Sequence, residues 1–229
     1  MQYRIFVAVC LVLAVLGFVY GLSFADPGLH YAGVVGPNQV GSTSASITSY
    51  VLPAPGSNRS EYVVGALVLR APFSDQFIQV GLGFSFPWDE EYQLKARGRS
   101  AIFYSTANGA VVIGTVPLRT QVSVGISHYP AGQNLVLIRF SWYDNNKWNF
   151  YTRTVYVPGW GEQRGRPLAH VEAFSGQPFH PRAIFAFSTD WFPNTDPQAR
   201  LVAEYPYSFL SNSTPKAFTI IKSVTGETE

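Results

Sequence analysis

The chain is a succession of short apolar runs, and none of them shows a sustained helical period. The runs are rich in Val, Ile, Phe, Tyr and Thr, which favour extended strands, and Gly, Pro, Asn and Asp separate them. This pattern predicts an all-β protein. The predicted strands cover residues 43–51, 62–70, 76–86, 100–104, 121–128, 135–143, 148–157, 168–174, 183–191 and 217–224.

So many strands in a single chain of this size predict two packed antiparallel sheets, that is, a β-sandwich. If one sheet is concave, it forms a natural cleft. The clearest hairpin is centred on Asp144-Asn145-Asn146-Lys147, where turn residues separate two runs of aromatic and apolar residues. No internal repeat, linker or low-complexity stretch interrupts residues 26–229, so we predict one domain there.

Residues 1–25 have the layout of a secretory signal. Arg4 precedes an apolar run over residues 5–21, and Ser23-Phe24-Ala25 provides a cleavage site of the small-x-small type. We therefore expect a secreted domain of residues 26–229 with no membrane partner after cleavage. The apolar run is at the lower limit for a membrane span, so an uncleaved anchor is the alternative. The sequons Asn58-Arg59-Ser60 and Asn212-Ser213-Thr214 suit surface glycans.

Composition and motifs exclude several classes of function. Cleavage removes Cys10, the only cysteine, and with it any disulfide or thiol chemistry. The charges are nearly balanced without a basic cluster, so no nucleic-acid partner is expected. The signatures His-Glu-x-x-His and Gly-x-Ser-x-Gly are absent. The histidines lack ligand-like spacing, so we predict no metal and no other cofactor. They are His30, His128, His170 and His180.

Gln79 and Glu172 stand out because each lies in an apolar segment of strand character. Burying a carboxylate costs several kcal/mol unless it is hydrogen-bonded or paired. An amide facing a carboxylate across a cleft would provide such a partner, and the pair could also hydrolyse a peptide bond. The structural alternative is that Gln79 is a satisfied polar group on a sheet and that Glu172 pairs with an arginine such as Arg166 or Arg182.

Short motifs follow one another in a set order over most of the domain. They are His30-Tyr31-Ala32-Gly33-Val34, Gly41-Ser42-Thr43-Ser44-Ala45-Ser46-Ile47, Val51-Leu52-Pro53, Gln79-Val80-Gly81, Val124-Gly125-Ile126-Ser127, Val157-Pro158-Gly159-Trp160 and Ala169-His170-Val171-Glu172. In this order they resemble the glutamic peptidases, most closely the neprosin family and more distantly the eqolisins. Gln79 matches the glutamine of the eqolisins, whereas plant neprosins carry a glutamate at this position. Ala173 stands where the family often has tryptophan, and the cysteines of plant neprosins are missing.

The resemblance implies a concanavalin-like jelly roll whose concave sheet binds an extended polypeptide, and an endopeptidase that uses no metal. In the family pattern Glu172 activates a water and then protonates the leaving amine, while Gln79 holds the water and donates to the oxyanion. Proline-directed cleavage and an acid optimum are further implications. The aromatic residues that we expect to contact the peptide are Trp88, Tyr104 and Trp160.

The competing interpretation is a secreted β-sandwich without catalytic activity. It would be a carbohydrate-binding module, or a subunit that adds residues 217–224 to the sheet edge of a neighbour. Aromatic rings can stack on sugars as well as on prolyl side chains. One geometric feature separates the two interpretations. A peptidase requires Gln79 and Glu172 in one accessible cleft, within about one water of each other, whereas the module allows them to point to different faces.

Overall fold

The computed structural model describes residues 28–35, 41–51, 61–71, 74–128, 134–161, 165–175, 184–192, 208–211 and 221–222. The predicted signal segment, both sequons and Arg182 lie outside these residues. Within them, no helix has the length and apolar character that a membrane crossing requires.

The described residues form thirteen strands and one short helix. The strands are β1 (Gly28–Val35), β2 (Ser42–Val51), β3 (Tyr62–Arg70), β4 (Phe77–Ser85), β5 (Arg99–Thr106), β6 (Gly109–Pro117), β7 (Gln121–His128), β8 (Leu135–Asp144), β9 (Lys147–Tyr156), β10 (Arg166–Ser175), β11 (Ile184–Phe192), β12 (Ser208–Ser211) and β13 (Ile221–Lys222). The helix, α1 (Phe86–Tyr92), follows β4 and has proline in its first turn, where the missing amide hydrogen costs nothing.

The strands form two sheets, which confirms the predicted two-sheet β-sandwich. The seven-stranded front sheet has the order β12-β1-β10-β3-β4-β5-β6, and the six-stranded back sheet has the order β13-β11-β2-β7-β8-β9. Neighbouring strands are antiparallel in both sheets, except for the short parallel pair of β11 and β13. Consecutive strands β3 to β6 and β7 to β9 are therefore sequential neighbours, whereas β10 inserts between β1 and β3.

The main core lies between the two sheets. In β7 the alternate residues Val122, Val124 and Ile126 are buried, while Gln121 and Ser123 are exposed, as expected for a strand with one solvent face. The central strands β3 and β4 behave differently, because seven consecutive residues of each are buried. The residues on the outer face of these two strands are therefore buried as well, and polar side chains there need partners.

The hairpin of β8 and β9 forms as predicted from the sequence. Asn145 and Asn146 have φ values of 51° and 60°, the left-handed conformation that a two-residue hairpin turn of type I′ requires. Beside the turn, the rings of Tyr143 and Trp148 meet edge to face across the strand pair, with 5.7 Å between centroids. The turn residues and this cross-strand pair fix the register of the hairpin.

An ion pair between described residues joins the two sheets directly. The Arg99 guanidinium of β5 lies 2.8 Å from the Asp144 carboxylate of β8, and it also donates to the side-chain and backbone oxygens of Thr115. Both charged side chains are largely buried, at 22% and 12% exposed. The arginine therefore has several partners, which is what a half-buried charge requires.

Candidate active site

The central strands of the front sheet bring Gln79 and Glu172 to one face. Gln79 on β4 lies opposite Val68 of β3, and Glu172 on β10 lies opposite Val64 of the same strand. Val64 and Val68 are four residues apart, so they point to the same side of the sheet, and directly opposed residues share that side. His170, two residues before Glu172, shares it too. This side faces away from the main core.

Five polar side chains form a continuous network on this face. The Ser105 hydroxyl donates to Gln79 Oε1 at 2.9 Å. This contact orients the amide so that Gln79 Nε2 lies 3.2 Å from His170 Nε2. The same imidazole nitrogen lies 3.4 Å from Glu172 Oε2, and the Tyr62 hydroxyl donates to Glu172 Oε1. We call these five residues the polar network.

Small residues under the polar network let the long side chains meet across β3. His170 lies opposite Ala66, which in turn lies opposite Gly81. A Cβ added to Gly81 would sit only 2.3 Å from the Gly65 carbonyl oxygen. No bulky side chain of β3 or β4 therefore stands between His170 and Gln79 on this face. Their side chains can reach each other across β3.

One proton decides which hydrogen bonds His170 makes. The amide of Gln79 can donate to His170 Nε2 only if that nitrogen carries no proton, which places the ring proton on Nδ1. In that tautomer, Glu172 Oε2 faces the unprotonated Nε2 of His170, and no hydrogen bond joins these two atoms unless the carboxyl group itself carries the proton. If Nε2 is protonated instead, it donates to Glu172 and can no longer accept from Gln79. Burial lowers the pKa of His170 from its ordinary 6.5, and the charge of Glu172 opposes this shift.

Tyr62 is a permanent donor to the carboxylate. Burial raises the pKa of Tyr62 far above its usual range, and the charge of Glu172 and the hydrogen bond to it raise the pKa further. The hydroxyl therefore keeps its proton at any physiological pH. Its ring stacks on Phe174 of β10, with 6.1 Å between centroids, so the hydroxyl is held in position beside Glu172.

The polar network is open at its carboxylate end. The side chain of Glu172 is 22% exposed and that of His170 is 12% exposed, whereas Gln79 is 9% exposed. Apolar clusters border the network on both sides along the strands. One consists of Val68, Leu168 and Phe77, and the other of Val64, Ala66, Phe103, Tyr62 and Trp88. A water or a ligand reaches Glu172 before it reaches the amide of Gln79.

The aromatic residues expected to contact a peptide lie in different places. Trp88 on α1 packs on Phe103 at 5.2 Å, beside the polar network. Tyr104 is 6% exposed and belongs to the main core, because strand neighbours alternate and Ser105 points outward. Trp160 is 3% exposed and stacks on His128 in that core. The prediction that Tyr104 and Trp160 contact a peptide on the concave sheet is therefore wrong, because both side chains are buried in the main core.

The alternative pairing of Glu172 with Arg166 is not found, and the other candidate, Arg182, lies outside the described residues. Arg166 is exposed, and the contacts of Glu172 among the described residues are those with Tyr62 and His170. We identify Tyr62, His170 and Ser105 as site residues that the sequence interpretation missed. His170 could have been found from its spacing, because residues two apart in a strand share a face.

The described residues contain no group of three or more His, Cys, Asp or Glu that could hold a metal ion. The titratable members of the polar network are thus one carboxylic acid, one imidazole and one phenol. Together with the amide and the hydroxyl, they can accept, hold and donate protons next to a partly exposed carboxylate.

Neither a protein-family model nor a curated protein sequence matches this chain. Among solved structures, scytalido-glutamic peptidase with a transition state analog inhibitor is similar at a TM-score of 0.45 and 8% identity, over 83% of this chain and 84% of that chain. SCP-B, an eqolisin peptidase in complex with the tripeptide Ala-Ile-His, gives 0.43 and 9%, over 83% of both chains. Basic winged bean lectin gives 0.31 and 14%, over 64% and 62%. All three TM-scores are below 0.5, so the function is argued from the side chains.

Proposed function

We propose that the protein is a peptide hydrolase of the glutamic type, in which Glu172 and Gln79 act together on one peptide bond. One observation carries the proposal. The two side chains lie on the same sheet face and contact the same nitrogen of His170, at 3.4 and 3.2 Å. A carboxylate and an amide this close can both reach one scissile carbonyl group, the carboxylate through a bound water.

Each side chain has a defined role in the proposed reaction. Glu172 takes a proton from a water at its exposed end, and the water oxygen attacks the carbonyl carbon. The carbonyl oxygen becomes an oxyanion, which the amide N–H of Gln79 stabilises. Glu172 then returns the proton to the amide nitrogen of the substrate, and the C–N bond breaks. One oxyanion donor contributes about 3 kcal/mol, or about a hundredfold in rate.

His170 is the positioning residue of this scheme. While its Nε2 accepts from Gln79, one of the two amide hydrogens is engaged and cannot serve an oxyanion. When Nε2 is protonated, it donates a hydrogen bond to Glu172 and no longer accepts one from Gln79. The amide of Gln79 is then free to bind the oxyanion. Because burial lowers the pKa of His170 below 6.5, the released state is populated only in acid. The proposed enzyme is therefore more active at acid than at neutral pH.

The same proposal includes the substrate and the location of the enzyme. The substrate is an extended polypeptide that crosses the front sheet, with apolar side chains against Phe77, Tyr62 and Trp88, the half-buried members of the two apolar clusters. Trp88, which is half-buried and packs on the buried ring of Phe103, offers a ring surface for a prolyl side chain near the cleaved bond. The enzyme is secreted, with removal of residues 1–25 and glycans on the two sequons.

The test is peptide mass spectrometry of an unfolded proteome digested by the mature domain between acidic and neutral pH. We expect cleavage by the wild type and a loss of at least about a hundredfold in Glu172→Gln and in Gln79→Ala. Glu91→Gln, which changes an exposed carboxylate on α1, is the matched control and should cleave normally. Circular dichroism checks that each variant is folded.

Two outcomes contradict the proposal. If the folded wild type cleaves nothing at any pH, the protein is a non-catalytic sandwich. If Glu172→Gln cleaves as fast as the wild type, another group performs the chemistry. The residues around the cleaved bonds test the preference for proline separately, because catalysis can persist with a different specificity.

A further inference from the structure

The back sheet carries a cluster of exposed aromatic side chains on the face that points away from the core. Tyr143 on β8 is 51% exposed, and Trp148 and Phe150 on β9 are 62% and 74% exposed. The ring centroids of Trp148 and Phe150 are 6.2 Å apart, with an angle of 24° between the planes. Single exposed rings are ordinary, but a contiguous cluster marks a binding surface.

A groove lies beside this cluster. It has a volume of about 370 Å³, and its lining consists of Thr120, Gln121, Ser123, Tyr143 and Trp148. Gln121 and Ser123 are exposed on β7, which is two strands away from β9 in the sheet. Two strand spacings amount to roughly 10 Å. We call this groove the aromatic groove. One of its walls offers amide and hydroxyl groups, and the other offers the ring faces of Tyr143 and Trp148.

The chemistry of the lining selects the class of ligand. None of the five lining residues is Lys, Arg, Asp or Glu, so the groove offers no ion pair to a nucleotide or an acidic polymer. A purely apolar ligand would leave the amide of Gln121 and the hydroxyls of Thr120 and Ser123 without partners, which is costly. The ligand that fits must therefore be uncharged, with both apolar faces and many hydroxyl groups.

We propose that the aromatic groove binds a neutral oligosaccharide. A sugar ring presents C–H groups on its face, which pack on the rings of Trp148 and Tyr143, and hydroxyls at its rim, which reach Gln121 and Ser123. The groove lies on the back sheet, with the main core between it and the polar network of the front sheet. Binding there leaves the candidate active site accessible, and this proposal holds whether or not the protein is a peptidase.

The test is calorimetric titration of the mature domain with cellohexaose, chitohexaose and mannohexaose. We expect at least one of these to bind, and Trp148→Ala to weaken that binding by at least about tenfold. Gln121→Ala should weaken it severalfold. Tyr156→Ala is the matched control, because Tyr156 is an equally exposed ring, 61%, at the other end of β9 and outside the groove. Its binding should equal that of the wild type.

Three results overturn the proposal. The first is that none of the three hexaoses binds the folded wild type at millimolar concentration. The second is that Tyr156→Ala loses as much affinity as Trp148→Ala, which would show a nonspecific aromatic effect. The third comes from sedimentation. If the wild type is a dimer that Trp148→Ala dissociates, the exposed rings are a contact between two copies of the chain.

Discussion

Replacing Gly81 by alanine should destabilise the front sheet at the point where Gln79 is held. Gly81 lies opposite Ala66 of β3. An added Cβ would sit 2.3 Å from the Gly65 carbonyl oxygen and 2.9 Å from the Ala66 Cα. Both of these atoms belong to the backbone, so no side-chain rotation can relieve the contact. The strands themselves must move apart.

The size of the effect follows from that movement. A carbon atom normally lies about 3.3–3.6 Å from a carbonyl oxygen, so β3 and β4 must separate by roughly 1 Å at this position. Overpacking costs about 1–3 kcal/mol, and a weakened ladder hydrogen bond costs about 1 kcal/mol more. Alanine restricts the unfolded chain and returns about 0.4–1 kcal/mol. We expect a net loss of about 2 kcal/mol in the free energy of unfolding.

Urea unfolding followed by tryptophan fluorescence measures this loss. With a slope of about 2 kcal/mol per molar urea, the midpoint should fall by about 1 M. Gly114→Ala on β6 is the matched control, because its Cβ would meet the Trp142 ring at 3.6 Å, an ordinary contact. It should be as stable as the wild type or slightly more so. Equal midpoints for the two variants would refute the close approach of β3 and β4.

Three further predictions test other contacts. Tyr62→Phe removes the donor to Glu172 and should lower the free energy of unfolding by about 1 kcal/mol in urea; an unchanged midpoint would contradict that hydrogen bond. Burial lowers the pKa of His128, so below pH 6.5 the unfolded chain binds a proton that the folded chain lacks, and stability should fall as the pH drops. His128→Phe should flatten this part of the melting-temperature profile, and an equally steep profile would show that other groups cause it. Asp144→Asn should cost about 1 kcal/mol in thermal melts, because it neutralises the partly buried partner of Arg99; an unaltered melting temperature would show that this pair contributes nothing.

Much of the fold could be predicted because alternation leaves a clear pattern in the sequence. The segment 121–128 alternates apolar and polar residues, and β7 has those bounds. The strand Gly109–Pro117 was not predicted, because its residues 110–113 are apolar without alternation and glycines flank them. β1 and β12 were also missed. Of the predicted strand 217–224, the described part is the short β13.

The candidate site could be predicted only in part. Gln79 and Glu172 were identified by the cost of burying polar groups, which depends on local sequence alone. The placement of Tyr104 required knowing which side of β5 faces the core. Tyr104 and Phe103 are both aromatic, so the sequence pattern does not distinguish the two faces of this strand. His170 was given no role at the site, because its contact with Gln79 spans 91 residues and only its two-residue spacing from Glu172 is visible in the sequence.

The position of β10 between β1 and β3 has a consequence for the chain during synthesis. Gln79 and His170 are 91 residues apart, and Tyr62 and Glu172 are 110 residues apart. Contacts of such long range form late, because the intervening loop must first be closed. A growing chain therefore displays β3 and β4 well before the strand that completes the network exists. Under the proposed function, a chain that ends before β10 cannot hydrolyse other unfolded polypeptides, because it lacks Glu172. Peptidase activity then begins only after β10 has paired with β3.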